Sequence, residues 1–279
     1  MLRAITLSTT ASVFALLSAD VAFAQNEYHL FNPKPADELR PLAADRPDAT
    51  ESPITVDPGH VQIEFSFVDY STDNDLGSDD TAWSIFDTNL KLGLTENVDL
   101  QFIFAAYTEQ RSNPTGGPSS TVNGFGDVTL RTKINLWGNA GGETAFGIMP
   151  FIKITVETEL SNGKVEGGFI AMMGWDVGET WGLGFQGEID LVYDDGDSEY
   201  DAEFLHTVVL GVDLIDPLGG YVEYVGILST DADVRYQALA SFGLTYEVNA
   251  NLVFDIGAQV GPNEDANDLN LFTGMTIRS

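Results

Sequence analysis

From Val61 to its end the sequence keeps one rhythm, in which polar and apolar residues alternate over stretches separated by connections that are short and long by turns. Gly124–Trp137 (GFGDVTLRTKINLW) shows the pattern. Asp127, Thr129, Arg131, Lys133 and Asn135 fall on one parity, and Val128, Leu130, Ile134 and Leu136 on the other. Successive side chains of a strand point to opposite faces, so this strand is charged on one side and apolar on the other. The same reading predicts strands at 60–70, 82–94, 98–108, 124–137, 144–156, 166–177, 181–193, 203–214, 218–229, 235–248, 251–261 and 268–277. Most run to about 10–14 residues, longer than the strands of soluble sheets and close to the tilted length that crosses a bilayer. The connections after the even-numbered strands are short, as in Thr95-Glu96-Asn97, Gly178-Glu179-Thr180 and Asn249-Ala250. Those after odd-numbered strands, such as 71–80, 110–123 and 194–201, are longer and rich in Asp, Ser, Asn and Gly. A β-sandwich has no reason to keep that alternation, whereas a barrel in an outer membrane does.

What precedes the strands narrows the choice. Arg3, the apolar run around 11–17 and Ala22-Phe23-Ala24 form the pattern of a cleaved secretory signal over residues 1–24. No later run of 18 apolar residues exists, so no transmembrane helix is expected. An exported chain without such a helix can span a membrane only as a closed barrel, because lipid offers no water to an open strand edge. Residues 25–58 hold Pro33, Pro35, Pro41, Pro47, Pro53 and Pro58 and no sustained period, which predicts an irregular arm. The expected architecture is therefore all-β: a 12-stranded antiparallel up-and-down transmembrane barrel over 59–279, preceded by a periplasmic arm. Trp83, Trp137, Trp175, Trp181, Tyr224 and Tyr246 fall near predicted strand ends, where aromatic girdles would lie. With 12 Lys and Arg against 43 Asp and Glu, the net charge is −31. That balance argues against nucleic acid as a partner. Cysteine is absent, which excludes a disulfide framework and thiolate metal sites.

If the apolar parity meets lipid, the other parity lines a lumen. The inward candidates are Asp87, Asn89, Lys91, Asp127, Arg131, Lys133, Asn135, Lys153, Glu188, Asp190, Glu223, Arg235, Gln237 and Asp255. Buried charges must be paired, so ion pairs bracing the lumen are one reading, and selection of a permeant is a compatible second. A barrel of this size is wider than the kind that side chains fill. The segment with Asp45, Arg46, Asp48 and Glu51 is therefore expected to fold into the periplasmic mouth as a partial plug, with a solvated tether as the alternative. Acids of the long connections (Asp73, Asp75, Asp79, Asp80, Asp194, Asp195, Asp197, Asp201) lack EF-hand spacing and read as solvated loops. His206 shares its parity with Phe204, Val208 and Leu210, which points to a lipid-facing residue rather than a catalytic one. No cofactor or metal is expected.

Asp45-Arg46-Pro47-Asp48-Ala49-Thr50-Glu51-Ser52-Pro53, followed by Pro58-Gly59-His60-Val61-Gln62-Ile63-Glu64, resembles the opening of outer-membrane proteins grouped as meta-pathway phenol-degradation transporters. Asn89–Asn97 and Gly124-Phe125-Gly126-Asp127 are similar to later segments of that family. The resemblance implies a β-barrel that carries small organic compounds, often aromatic, by passive passage. It implies outer-membrane lipid, a small-molecule permeant and, during biogenesis, the barrel assembly machinery as partners. An anchor or adhesin barrel acting through acidic loops is the alternative, and an outer-membrane lipid hydrolase a more distant one.

Overall fold

A computed structural model describes residues 28–74, 77–194, 196, 198–231, 236–263 and 265–279. The expected signal segment 1–24 and Arg235 lie outside the described residues, as do Asp75, Asp195 and Asp197. The strands are β1 (Val61–Asp73), β2 (Ser78–Thr95), β3 (Val98–Pro114), β4 (Ser120–Gly124), β5 (Val128–Trp137), β6 (Thr144–Ile154), β7 (Glu166–Val177), β8 (Trp181–Asp194), β9 (Glu199–Ile215), β10 (Leu218–Ser229), β11 (Gln237–Asn249), β12 (Leu252–Val260) and β13 (Leu269–Arg278). Consecutive strands pair antiparallel, except that β5 pairs with β3 and not with β4, and β1 pairs with β13, so the sheet closes on itself. Closure satisfies every edge, which is what makes a sheet compatible with a bilayer. β4 stands outside the ring of twelve: it pairs with Thr108–Ser112 of β3 and continues the line of β5 beyond a break at 125–127.

The long connections predicted from the sequence are largely strand. Thr72 pairs with Thr81, Asp73 with Asp80, Ser112 with Ser120 and Asp194 with Glu199. These hairpins extend past the apolar band, where both faces are wet, so hydropathy stops alternating although the ladder continues. β2 accordingly reaches 18 residues.

The outer face carries apolar rows that run across strands. Phe102, Leu130 and Ile152 are register partners on β3, β5 and β6, and Phe169, Ile189 and Phe204 on β7, β8 and β9. Ile189 is 54% exposed and Ile256 58%, values that suit lipid contact and not a wall facing water. Trp137, Trp175, Trp181 and Tyr246 ring the end with the short turns, and Trp137 stacks on Phe146 with ring centroids 4.8 Å apart. Trp83 and Tyr224 lie elsewhere: Trp83 packs on Tyr107 in the protruding β2–β3 hairpin, and Tyr224 sits near His206 within its strand.

Leu130 in the first of those rows gives a direct test. Leu130→Arg is expected to impair assembly and to cost about 2–4 kcal/mol near the bilayer midplane. Urea unfolding in lipid vesicles measures the loss.

Candidate functional site

The inside of the barrel is where its charges meet. Asp45 of the arm receives Nζ of both Lys91 on β2 and Lys133 on β5, the Lys133 contact being 2.7 Å. Glu64 on β1 binds the same Lys91 and accepts the backbone N–H groups of Asp45 and Arg46 at 3.1 and 3.2 Å. Lys91, Lys133 and Glu64 are each 2% exposed or less. Parity dictates this meeting, because Glu64, Lys91 and Lys133 all sit on the inward side of their strands. Arg131, two residues before Lys133, binds Glu51 at 2.5 Å and lies 5.5 Å from the centre of the Phe151 ring.

Contacts continue around the wall. Arg46 forms a fork on Asp255 of β12 at 2.8 and 3.1 Å and donates to Ser66. Glu223 of β10 accepts from the N–H groups of Ala49 and Thr50 and from the Thr50 hydroxyl. Gln186 of β8 accepts the N–H of Glu51 at 2.7 Å, and Asn135 donates to the Pro53 carbonyl at 2.9 Å. Residues 45–53 thus cross the lumen and bond to strands from β1 to β12. Nearer the short-turn end, Asp57 is held by Arg40 at 2.8 Å, Lys34 at 3.2 Å and Arg278 at 3.5 Å. Burial raises the Asp57 carboxyl, but Arg40 and Lys34 more than offset this and hold it below the usual carboxylate range.

Asp45 and Glu51 compete inside the cluster. Burial penalises both, yet Lys133 and Lys91 bring Asp45 well below the normal carboxylate range. Burial and the Asp45 charge raise Glu51 to about 7 against the opposing pull of Arg131 and Lys133. Its second oxygen is buried without a hydrogen-bond partner, 3.7 Å from Lys133 Nζ. Asp48 has no such cation: burial and Glu223 raise it well above the normal range.

The described lumen candidates lie on the inner parity of their strands, except Asp127, which precedes β5 and reaches Lys153 of β6. Lys91, Lys133, Asn135, Glu188, Glu223 and Asp255 are buried there. Asp87, Asn89, Asp127, Arg131, Lys153, Asp190 and Gln237 are half-buried, with Asp87 receiving the Ser84 hydroxyl and Asn89 donating to Gln101 at 3.1 Å. The cations do not brace wall to wall as a rule. Lys153 does, between Asp127 and Glu166, and Lys91 pairs with Glu64 of the wall as well as with Asp45, whereas Lys133 and Arg131 are paired with acids of the arm. The sequence reading passed over Gln62, Glu64, Ser66 and Asp99, although strict parity puts them inside. Asp99 accepts the Val56 N–H at 3.0 Å, and Gln62 donates to the Ala43 carbonyl.

It also passed over glycines of the wall. A Cβ at Gly147 would sit 3.3 Å from Pro53 Cα, one at Gly184 3.1 Å from Thr50 Cγ2, and one at Gly174 3.4 Å from Pro53 Cγ. At Gly93 it would overlap the Asp57 carbonyl. The arm runs against the wall at all four, and it excludes a side chain outright at Gly93, whereas at Gly184 Val209 of the wall is closer still.

Two apolar patches share the inner face with the charges. Met149, Ile170 and Met172 are fully buried beside Phe151 on β6 and β7. Leu205, Val225, Ile227 and Leu239 face inward on β9 to β11, Val225 being a register partner of Thr207 and Leu239. His206 points outward, its ring stacked on Phe204 at 5.4 Å and near Tyr236 at 6.2 Å.

A family model described as "Putative MetA-pathway of phenol degradation" matches residues 44–278, which takes in the crossing part of the arm and the barrel. The structure is similar to the COG4313 outer membrane channel from Pseudomonas putida F1, with a TM-score of 0.61 and 12% identity over 85% of this chain and 100% of that one. It is also similar to the NanC porin, with a TM-score of 0.51 and 8% identity over 78% of this chain and 98% of that one. No curated protein matches the sequence. At these identities the likeness to the two channels is one of fold.

Removing one partner from a buried ion cluster strands the others. Asp45→Asn is therefore expected to destabilise the arm's seat by about 3–5 kcal/mol, read as faster proteolysis of the arm in folded protein. The Glu51 carboxyl sets a pH dependence. Its folded value lies above its unfolded one, so the seated arm holds a proton that the released arm loses. The seat therefore weakens as pH rises from the ordinary Glu range to about 7. Proteolysis of the arm should be slower at acidic than at mildly alkaline pH, and Glu51→Gln should flatten the difference.

Proposed function

The chain belongs to the phenol-degradation family, and from that premise we propose that it is an outer-membrane channel. It gives passive passage to small organic molecules, aromatic or hydrophobic ones among them, past an arm that narrows the lumen. Outer-membrane barrels keep their short turns in the periplasm, so the arm occupies the periplasmic half. Residues 25–58 then act as a periplasmic plug rather than a tether, following an export signal at 1–24.

The mixed inner face carries this reading. A water-filled porin has a polar interior, whereas sites for organic ligands are mostly apolar with a few placed polar groups. Here Phe151 on one wall and Leu205, Ile227 and Leu239 on another keep accessible area and lie among Arg131, Glu188 and Glu223, with Met149, Ile170 and Met172 packed out of reach beside Phe151. Such a surface lowers the cost of moving an aromatic solute out of water while fixed charges keep the lumen wet. The arm adds a constriction, because its bonds to β1, β8, β10 and β12 leave it no free path out of the lumen. The plug is held by charge, while the route past it admits rings.

Single-channel recording in planar bilayers tests both parts. The intact chain should show a small ion conductance that single-ring aromatic solutes interrupt. Deletion of 28–57, in protein shown by gel shift to be folded, should raise the conductance by a factor of about two or more, since conduction follows pore diameter. A conductance that does not change on deletion removes the plug from the proposal, and a current indifferent to aromatic solutes removes the permeant class.

A further inference from the structure

Among the glycines of the inner wall, Gly93, Gly147, Gly174 and Gly184 lie against the arm. Gly182 and Gly211, register partners on β8 and β9, do not: a Cβ at Gly182 would meet nothing within 4 Å, and one at Gly211 only the Gly182 carbonyl at 3.9 Å. Neither has a positive φ that would require glycine for the backbone. Both share the inward parity of Gly184 and Val209. They open a bay of about 590 Å³ between the wall and Arg46-Pro47-Asp48 of the arm, with Tyr221 at its side. A smaller cavity, about 370 Å³, lies on the opposite flank of the arm against 138–145. Pro53, packed at Gly147 and Gly174, stands between them.

We propose that solute passes the arm on the β8–β9 side, through the bay that Gly182 and Gly211 leave open. This rests on the channel reading above and names its route. An apolar cavity of about 150 Å³ suffices for benzene, so the bay has room for a single-ring compound. Its charge narrows the class further. Asp176, Glu179 and Asp213 line it, and Arg46, which lines it too, is committed to Asp255. Fixed acids in a narrow passage repel anions, so the bay suits neutral and cationic solutes and disfavours carboxylates.

The chain has no cysteine, so single cysteines report one position each. Gly211→Cys and, as a second position, Gly182→Cys are compared with Ala140→Cys, which lines the smaller cavity. Each is modified with a bulky cationic methanethiosulfonate while current is recorded, and the adduct is verified by mass. The expected result is a loss of roughly half the current or more at Gly211→Cys and Gly182→Cys, since conduction follows pore diameter, with Ala140→Cys unaffected. An anionic reagent of equal size should react more slowly at both glycine positions. Full current after verified modification of Gly211→Cys and Gly182→Cys, or a block at Ala140→Cys instead, overturns the route. A wild-type chain without current removes the channel reading and the route together, so the two failures are told apart.

Discussion

The buried meeting of Asp45 and Glu64 with Lys91 and Lys133 is the interaction on which the interior depends. Taking these groups out of water costs several kcal/mol per ion, and only close, well-bonded partners offset it. An apolar cluster, Met149, Ile170 and Met172, is buried elsewhere on the inner face, but where the arm crosses the lumen the contacts are polar and have to be complete. Glu64 accepts backbone N–H groups of the arm as well as Lys91, and Asp45 also accepts the Ser52 N–H at 2.9 Å. The cluster therefore fixes the path of the arm and the separation of β1, β2 and β5 at once.

Shape supports charge. Four wall glycines give the arm its bed, and where it departs from the wall at Gly182 and Gly211 a space remains. Filled and empty glycines look the same in sequence, yet they mark two different things: where the constriction is built and where it is incomplete. Asp48, whose carboxyl burial and Glu223 raise, borders that empty side.

The barrel was legible because lipid and lumen impose opposite demands on successive residues. Gly124–Trp137 alone separates Leu130 from Arg131, and the structure puts one on each face. Hairpin tips were not legible, because water on both sides erases the alternation that identifies a strand, as at Thr72 and Ser112. The partners of the inward cations were hidden for another reason. Parity says that Lys91 and Lys133 face inward, but it does not say which acid comes to meet them, and Asp45 is 88 residues from Lys133. The glycines that lie against the arm were not legible either, since a missing side chain carries no signal of what replaces it.

The order of the arm's partners along the chain bears on how such an object is made. Glu64, Lys91, Asp99 and Lys133 belong to the first strands, while Glu223, Asp255 and Arg278 belong to the last. A curved half-sheet of β1 to β5 already holds the full set of charges that seats Asp45. Arg278 reaches Asp57 beside the seam where β13 meets β1. The arm thus ties the opening strands to the seam that closes the ring, so a break in either loosens the same segment.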